Sequence, residues 1–284
     1  MEQAASGDTT ERTGRALADA DRRLGACGIV LEHRVALGPC RLLDDRTVAR
    51  VGSLLSDLSA QLAGPDTGLA ASVREMLAGR RAILTHLLAL SVEARLAETL
   101  AVERGLDPRL PPLLRRQTDA TDTIALIAAQ TRMDSAMRAM RLPLDELPGD
   151  LQHLAWSISH VVHADHGQTA PMDRAASAAA RPARLDLQHQ VLLGLGDDLQ
   201  LALRIDEAGL GLFLSALALA SGIARDTVAL ATAEDDPLRL ALILRAAGLT
   251  QDAAAMQLLA IRPDADSALV DVGDAEQLLQ GGPR

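Results

Sequence analysis

The stretch that decides the fold is residues 206–223, whose sequence is DEAGLGLFLSALALASGI. From Ala208 to Ala224 the chain carries no charged side chain, and most of this segment is Ala and Leu, which are strong helix formers. Asp206 before the segment can act as an N-cap, and Gly222 can end the helix. Because a helix that is apolar on every side packs in the centre of a helical domain, we predict that this one is a core helix.

The same segment has an alternative interpretation as a membrane helix. Its 17 uncharged residues reach the lower edge of a spanning length. Gly209, Gly211, Ser215 and Ser221 interrupt it, however, and much of its apolar character comes from Ala. We therefore expect a core helix of a soluble protein and no membrane partner.

The remaining sequence follows the same helical pattern. The chain of 284 residues contains 52 Ala and 52 Leu, and apolar positions recur every three or four residues. Glycine followed by an apolar residue ends three of the predicted helices, but no fixed period relates these joints. We predict an all-α fold, an irregular array of about ten helices in two lobes. The expected organisation is a disordered tail (1–14), an N-terminal helical lobe (15–166), a linker (167–183), a C-terminal helical lobe (184–263) and a second tail (264–284).

Only one segment, residues 185–205, is ambiguous between helix and strand. Leu199, Leu201 and Leu203 alternate with polar or small residues, as a half-buried strand would. No second strand is visible to pair with it, and the neighbouring segments are helical. Helix is therefore the favoured prediction.

Two segments of the C-terminal part resemble a known family. Asp206 to Gly222 contains a Leu-Phe step, an Ala-Leu-Ala run and a glycine, and Leu242 to Leu249 contains an Arg-Ala-Ala-Gly-Leu step. In these features the chain resembles the C-terminal part of the alphaproteobacterial domain-of-unknown-function 2336 family. The resemblance implies a bacterial, cytoplasmic, all-helical protein, and it implies no catalytic residues.

Composition excludes several classes of activity. All 28 basic residues are Arg, so the phosphate-binding lysine of P-loop proteins and Schiff-base chemistry are absent. The net charge is −10 and the arginines are scattered, which argues against a nucleic-acid partner. Cys27 and Cys40 match no metal or redox spacing, and residues 1–15 lack the apolar segment of a signal peptide. We therefore expect a cytoplasmic location and no cofactor.

Histidines form the strongest polar cluster of the sequence. His153, His160, His163 and His166 lie within fourteen residues. On a helix His160 and His163 are about 60° apart and can share a metal ion, whereas His160 and His166 are about 120° apart and His153 lies about 10.5 Å from His160 along the axis. A zinc site there would need further ligands from elsewhere in the chain. A pH-responsive patch and an ordinary hydrated helix face are the other interpretations.

Other polar motifs favour structural interpretations. Glu32-His33-Arg34 faintly resembles a phosphoacceptor histidine on a helical hairpin. The pairs Gly194-x-Gly196 and Gly209-x-Gly211 each lack the third glycine and the preceding strand of a dinucleotide site. The acidic run 234–236 is typical of a helix start rather than of an acid–base pair.

A methionine-bearing stripe marks the helix predicted from Asp119 to Arg141. Its members recur at alternating spacings of four and three residues, and they are Leu126, Gln130, Met133, Met137 and Met140. Such a stripe can line an adaptable binding groove, but a seam that faces the core is the commoner arrangement.

These observations predict a non-enzymatic protein-interaction or regulatory module, with an unidentified protein partner or a second copy of the chain. The alternative is a metal-binding enzyme or sensor that uses the face of His160 and His163.

Overall fold

Most of the residues that the structure of the protein, a computed structural model, describes are helical. Among these residues, which are 41–117, 120–168 and 182–271 with 13–15, 17, 18, 21, 278 and 279, there is no strand. Ten helices in this part of the chain have seven or more residues. The prediction of an all-α fold with about ten helices is confirmed.

Several predictions concern residues outside these ranges. They include Cys27, Cys40, Glu32-His33-Arg34 and most of the predicted tails and linker.

The helices are named in chain order. They are α1 (Asp45–Ala63), α2 (Thr67–Ala78), α3 (Arg81–Arg104), α4 (Pro112–Arg115), α5 (Thr121–Arg138), α6 (Gly149–Asp165), α7 (Arg184–Gly194), α8 (Leu199–Ala202), α9 (Ile205–Ser221), α10 (Arg225–Ala231), α11 (Leu238–Ala246) and α12 (Gln251–Ile261). Short 3-10 turns occur at Arg41–Leu43, Leu144–Glu146, Gly196–Asp198 and Ser267–Val270.

The glycine joints end helices as predicted. Gly105 after α3 and Gly222 after α9 adopt the left-handed conformation, with φ of 65° and 70°. Gly248 after α11 has a φ of 85°. Because glycine has no Cβ, these reversals cost little strain.

The start of α9 differs from the prediction. Its N-cap is Arg204, whereas Asp206 lies in the first turn and accepts a hydrogen bond from Arg204 at 2.8 Å. Gln257 of α12 supplies the cap from outside, since its Oε1 accepts from the backbone N–H of Ile205 at 3.0 Å. The prediction of Asp206 as N-cap is wrong because a residue from a distant helix satisfies the first amide.

Gly209 divides the apolar stretch of α9. Its backbone has φ 67° and ψ 165°, which is not helical, and a Cβ at this position would lie 3.0 Å from Pro111 Cβ. In the described part of the chain no single helix has the length and apolarity needed to cross a membrane. The pair α9 and α10 passes that test jointly, but it is bent by 116°.

Residues 185–205 are helical, which confirms the favoured prediction for the ambiguous segment. Helix α7 ends at Gly194, a 3-10 turn follows, and α8 adds one further turn. Gly196, with a φ of 54°, makes the break between them.

The main hydrophobic cluster contains residues of both predicted lobes, and a second, smaller cluster is formed by Leu17, Leu238, Leu242 and Ala246. Phe213 of α9 is completely buried within the main cluster, and α3, a helix of 24 residues, contributes Ile83, Leu84, residues 87–90 and Val92. Helices α1, α9 and α10 pack against α3. The polar groups that α3 carries are thereby brought against segments distant in sequence. The division into two lobes stays a prediction.

Candidate functional site

A buried carboxylate on α3 binds two arginines from other helices. Glu93 Oε1 accepts from Arg184 Nη1 at 2.9 Å, and Arg184 is the first residue of α7. Arg225, the first residue of α10, donates from Nη1 to Oε2 and from Nη2 to Oε1, each at 2.9 Å. One carboxylate therefore ties together three helices, and its bond to Arg225 is bidentate, the strongest geometry for such a pair.

The two arginines determine the charge state of Glu93. Burial by itself raises the pKa of this carboxyl, but the charges and hydrogen bonds of Arg184 and Arg225 together outweigh it. They hold the pKa of Glu93 well below its ordinary range. Glu93 is therefore an anion at every physiological pH.

A second carboxylate lies on the other side of Arg184. Glu146 Oε2 is 3.5 Å from Arg184 Nε, which is an ion pair too long for a good hydrogen bond. Burial raises the pKa of Glu146, and the opposing charge of Arg184 compensates only in part. Of the two acids that contact Arg184, Glu146 is the one that takes up a proton more readily.

A polar relay extends the network behind Glu93. Arg225 Nε donates to Ser215 Oγ at 2.8 Å, and this hydroxyl donates to Gln188 Oε1 at 2.7 Å. Gly211 lies directly against this relay: an added Cβ would approach Gln188 Nε2 to 2.8 Å and Arg184 Nη1 to 3.4 Å. The close approach explains why glycine occupies this position.

The next residue of α10 makes a further polar contact with α3. His86 Nδ1 lies 3.0 Å from Asp226 Oδ2, and the histidine is fully buried. Asp226 lies in the first turn of α10. Two consecutive residues, Arg225 and Asp226, thus fix the start of α10 to α3.

A groove of about 400 Å³ lies over the Glu93–Arg184 pair, between α3 and α5. We call it the α3/α5 groove. Its floor contains the buried polar residues Glu93, Gln130 and Arg184. Its walls are apolar, and they include Ala94, Ala97, Ala101, Leu106, Met133 and Met137. A volume of this order lies within the ~300–1,000 Å³ that small-molecule sites span.

The rim of the groove is charged but locally balanced. Arg138 pairs with Asp134 at 3.1 Å, and Arg109 pairs with Asp107 at 3.3 Å. Glu98 pairs with arginines of α1. The rim therefore carries no strong excess of either charge.

Two polar groups of the floor have unused hydrogen-bonding capacity. Gln130 is only 7% exposed, and its Oε1 has no hydrogen-bond partner among the described residues. Arg184 is 5% exposed, and its Nε has no polar contact there closer than Glu146 Oε2 at 3.5 Å. Buried polar atoms without partners are uncommon in folded proteins, and at the floor of a groove they indicate the place of a ligand.

The methionine stripe faces both the core and the groove, but Met140 lies beyond the end of α5 at Arg138, so the predicted extension of this helix to Arg141 is wrong. Leu126, Met133 and Met137 are buried, as a seam facing the core requires. Gln130, Met133 and Met137 also line the groove. The two interpretations of this stripe are therefore compatible, because one helix face meets the core and the groove together.

The histidine cluster lies apart from the groove, on α6. His153, His160 and His166 are exposed, whereas His163 is 3% exposed and its Nδ1 lies 2.8 Å from the carbonyl oxygen of Ser159. Among the described residues no group of three or more His, Cys, Asp or Glu side chains could hold a metal ion. The metal site at His160 and His163 stays a prediction, which elemental analysis of untagged protein tests.

The acidic run 234–236 begins a helix, as predicted. Asp236 Oδ1 accepts from the backbone N–H of Leu238 at 2.9 Å, at the start of α11. Glu234 is buried and pairs with Arg239 at 2.8 Å.

Sequence reasoning missed Glu93, Arg184 and Arg225. The signal available for Glu93 is an acidic residue directly after the largely apolar segment 83–92, and the signal for the segment that faces it is Gly209-x-Gly211. Neither of these signals identifies its partner.

No protein-family model, no curated protein and no solved structure matches this chain. The resemblance to the domain-of-unknown-function 2336 family therefore stays a prediction.

Proposed function

We propose that this protein is a non-enzymatic regulatory module that binds a small molecule in the α3/α5 groove and presents its helix faces to a protein partner. The observation that carries the proposal is a pair of incompletely satisfied polar groups on the buried floor of a groove with apolar walls: Gln130 Oε1 has no hydrogen-bond partner among the described residues, and Arg184 Nε has only Glu146 Oε2, at 3.5 Å. The bacterial cytoplasm is the setting that we propose.

The charge state of Glu93 supports binding rather than catalysis. A general base works best when its pKa is near the operating pH. Two arginines lower the pKa of Glu93 far from that condition and occupy both of its oxygens. The most buried acid of the groove is therefore poorly suited to transfer protons.

The network gives the groove a route to the rest of the molecule. Arg184 lies at the floor of the groove and also joins α7 to α3 through Glu93. A ligand that contacts Arg184 stabilises this junction, because any molecule that binds only the folded state raises its stability. Regulation would then consist of a change in how firmly α7 and α10 are held on α3.

The experiment is a thermal-shift comparison with a small-molecule extract of bacterial cytoplasm. We expect the wild-type chain to be stabilised, and we expect mass spectrometry to recover the bound molecule chemically unchanged. Ala97→Phe, which fills the groove wall, should abolish the shift. Ala71→Phe, on the exposed face of α2, is the matched control and should retain it.

Two results would contradict the proposed function. Conversion of the bound molecule into a product would show an enzyme. An equal shift in wild type and Ala97→Phe, or no shift in either, would show that the groove is not the site.

A further inference from the structure

On the groove floor, Glu93 and Arg184 differ in how many of their hydrogen-bonding positions are already used. Glu93 accepts three hydrogen bonds from Arg184 and Arg225, which nearly fill the roughly four lone-pair sites of a carboxylate. A guanidinium has about five N–H donors, and Arg184 uses Nη1 for Glu93, whereas its Nε lies 3.5 Å from Glu146 Oε2, too far for a good hydrogen bond. Of the two charged groups in this pair, Arg184 therefore keeps the larger unused hydrogen-bonding capacity.

Gln130 complements Arg184 on the same floor. Both side chains are more than nine-tenths buried and both line the groove. The oxygen and nitrogen of a side-chain amide are interchangeable by rotation, so Gln130 can offer N–H donors to a ligand that only accepts. A carboxylate head group, which has acceptors alone, fits this donor set.

The charge balance of the floor favours an anion when Glu146 is protonated. Burial raises the pKa of Glu146, so this side chain loses its charge more readily than Glu93 does. Two guanidiniums then face one carboxylate, and the floor has one excess positive charge. An incoming carboxylate restores the balance.

The walls define the rest of the ligand. Ala94, Ala97 and Ala101 recur at three and four residues, so their methyl groups form one strip on α3. From Glu93 to Ala101 this strip extends about 12 Å along the helix at ~1.5 Å per residue. Met133 and Met137 form the facing wall, and their flexible thioethers adapt to an apolar chain.

We propose that the α3/α5 groove binds an organic monocarboxylate with an unbranched apolar tail. Its carboxylate contacts Arg184 and Gln130, and its tail follows the alanine strip between α3 and the two methionines. This inference rests on the proposed function and names the chemical class of its ligand.

The test uses the full chain and octyl probes of equal length that differ only in the head group. Calorimetry measures binding of octanoate, octan-1-ol and octylamine below their aggregation concentrations. Methyl-¹³C-methionine NMR shows where each probe binds, through the signals of Met133 and Met137. We expect octanoate to bind at least tenfold more tightly than octan-1-ol, octylamine to bind weakest, and both methionine signals to shift.

Three variants locate the head group without removing Arg184, which the fold needs. Gln130→Leu should weaken octanoate about tenfold and leave octan-1-ol unchanged, whereas Gln251→Leu, at an exposed position, should change neither. Glu146→Gln removes the competing negative charge beside Arg184 and should tighten octanoate severalfold. A purely structural role for Glu146 would not produce this gain.

The outcomes separate this inference from the proposed function. If octan-1-ol or octylamine binds as tightly as octanoate or more tightly, the ligand is not a carboxylate. The carboxylate class is also overturned if no octyl probe binds while the cytoplasmic extract still stabilises the wild type and not Ala97→Phe. In both cases the proposed function stands. If neither probes nor extract bind, both proposals fail.

Discussion

The pKa values of two buried glutamates of this protein are shifted in opposite directions. Glu93 and Glu234 are similarly buried, at 8% and 5% exposure. Glu93 binds two guanidiniums, whereas Glu234 accepts one hydrogen bond, from Arg239 Nε at 2.8 Å, and its Oε2 has no hydrogen-bond partner among the described residues. Arg262, the other nearby arginine, donates to the backbone carbonyl oxygens of Glu234 and Asp235 instead.

The number of neighbouring cations, rather than depth of burial, explains the difference. For both residues burial raises the pKa, and for Glu234 it prevails because Arg239 alone opposes it while Asp21 and Asp236 add negative charge. The pKa of Glu234 is therefore raised, and the pKa of Glu93 is lowered. Glu93 holds three distant helices together, whereas Glu234 and Arg239 are only five residues apart.

The largest expected effect comes from Glu93→Gln. An amide cannot satisfy both arginines, and breaking a buried ion pair on one side costs about 3–5 kcal/mol. Urea unfolding at pH 7 measures the loss. Glu207→Gln is the matched control, since its partner Arg116 is half-exposed and such surface pairs contribute about 0–1 kcal/mol. Equal losses in the two variants would remove the special role assigned to Glu93.

A smaller effect is expected from Gly211→Ala. The new methyl group would approach Gln188 Nε2 to 2.8 Å and push on the relay behind Glu93. We expect a loss of about 1–3 kcal/mol, as is usual when a packed site is overfilled. Gly52→Ala, inside α1 with nothing within 4 Å of its Cβ position, should gain about 0.5–1 kcal/mol in the same assay. A higher free energy of unfolding in both variants would show that the relay behind Glu93 accommodates the methyl group without a loss of stability.

The smallest effect at pH 7 is expected from Glu234→Gln. A neutral side chain suits a site that raises the pKa of the native acid, and Gln Oε1 can still accept from Arg239. The cost should stay below about 1.5 kcal/mol, the worth of one neutral hydrogen bond. A loss as large as that of Glu93→Gln would contradict the comparison.

The pH dependence of these two variants should have opposite signs. The ordinary pKa of both carboxyls is about 4.5. Because the folded-state pKa of Glu93 is lowered, its stabilisation is present above pH 4.5 and is lost as the pH falls further. Because the folded-state pKa of Glu234 is raised, the stabilisation from this residue is fully present below pH 4.5 and is lost as the pH rises through the folded-state pKa. Urea unfolding of wild type and each variant between pH 3.5 and 7 measures the differences. Parallel curves for the two variants would be the contrary result.

The helices were predictable because their signals are local. Ala and Leu content, apolar spacing and the glycines at 105, 222 and 248 are each contained within a few residues. The same locality explains the error at Asp206. The side chain that accepts from the Ile205 N–H belongs to Gln257, about fifty residues further along the chain, and no local sequence pattern predicts this contact.

The candidate site was only partly predictable for the same reason. The methionine stripe and Gly209-x-Gly211 were both visible in the sequence, and both contribute to the groove or its floor. The histidine cluster is visible in the sequence because its members are close together along the chain. Glu93 did not, because its partners are 91 and 132 residues away, and ion pairing at such separations leaves no periodic trace.

The long separation between Glu93 and its partners also orders events during synthesis on the ribosome. At ~5–20 residues per second, Arg225 is added roughly 7–26 s after Glu93. Until Arg184 and Arg225 emerge, the carboxylate has no counter-ion and keeps its water, so the inner face of α3 stays open. The nascent N-terminal helices therefore expose apolar surface for seconds, an interval in which a chaperone can bind them.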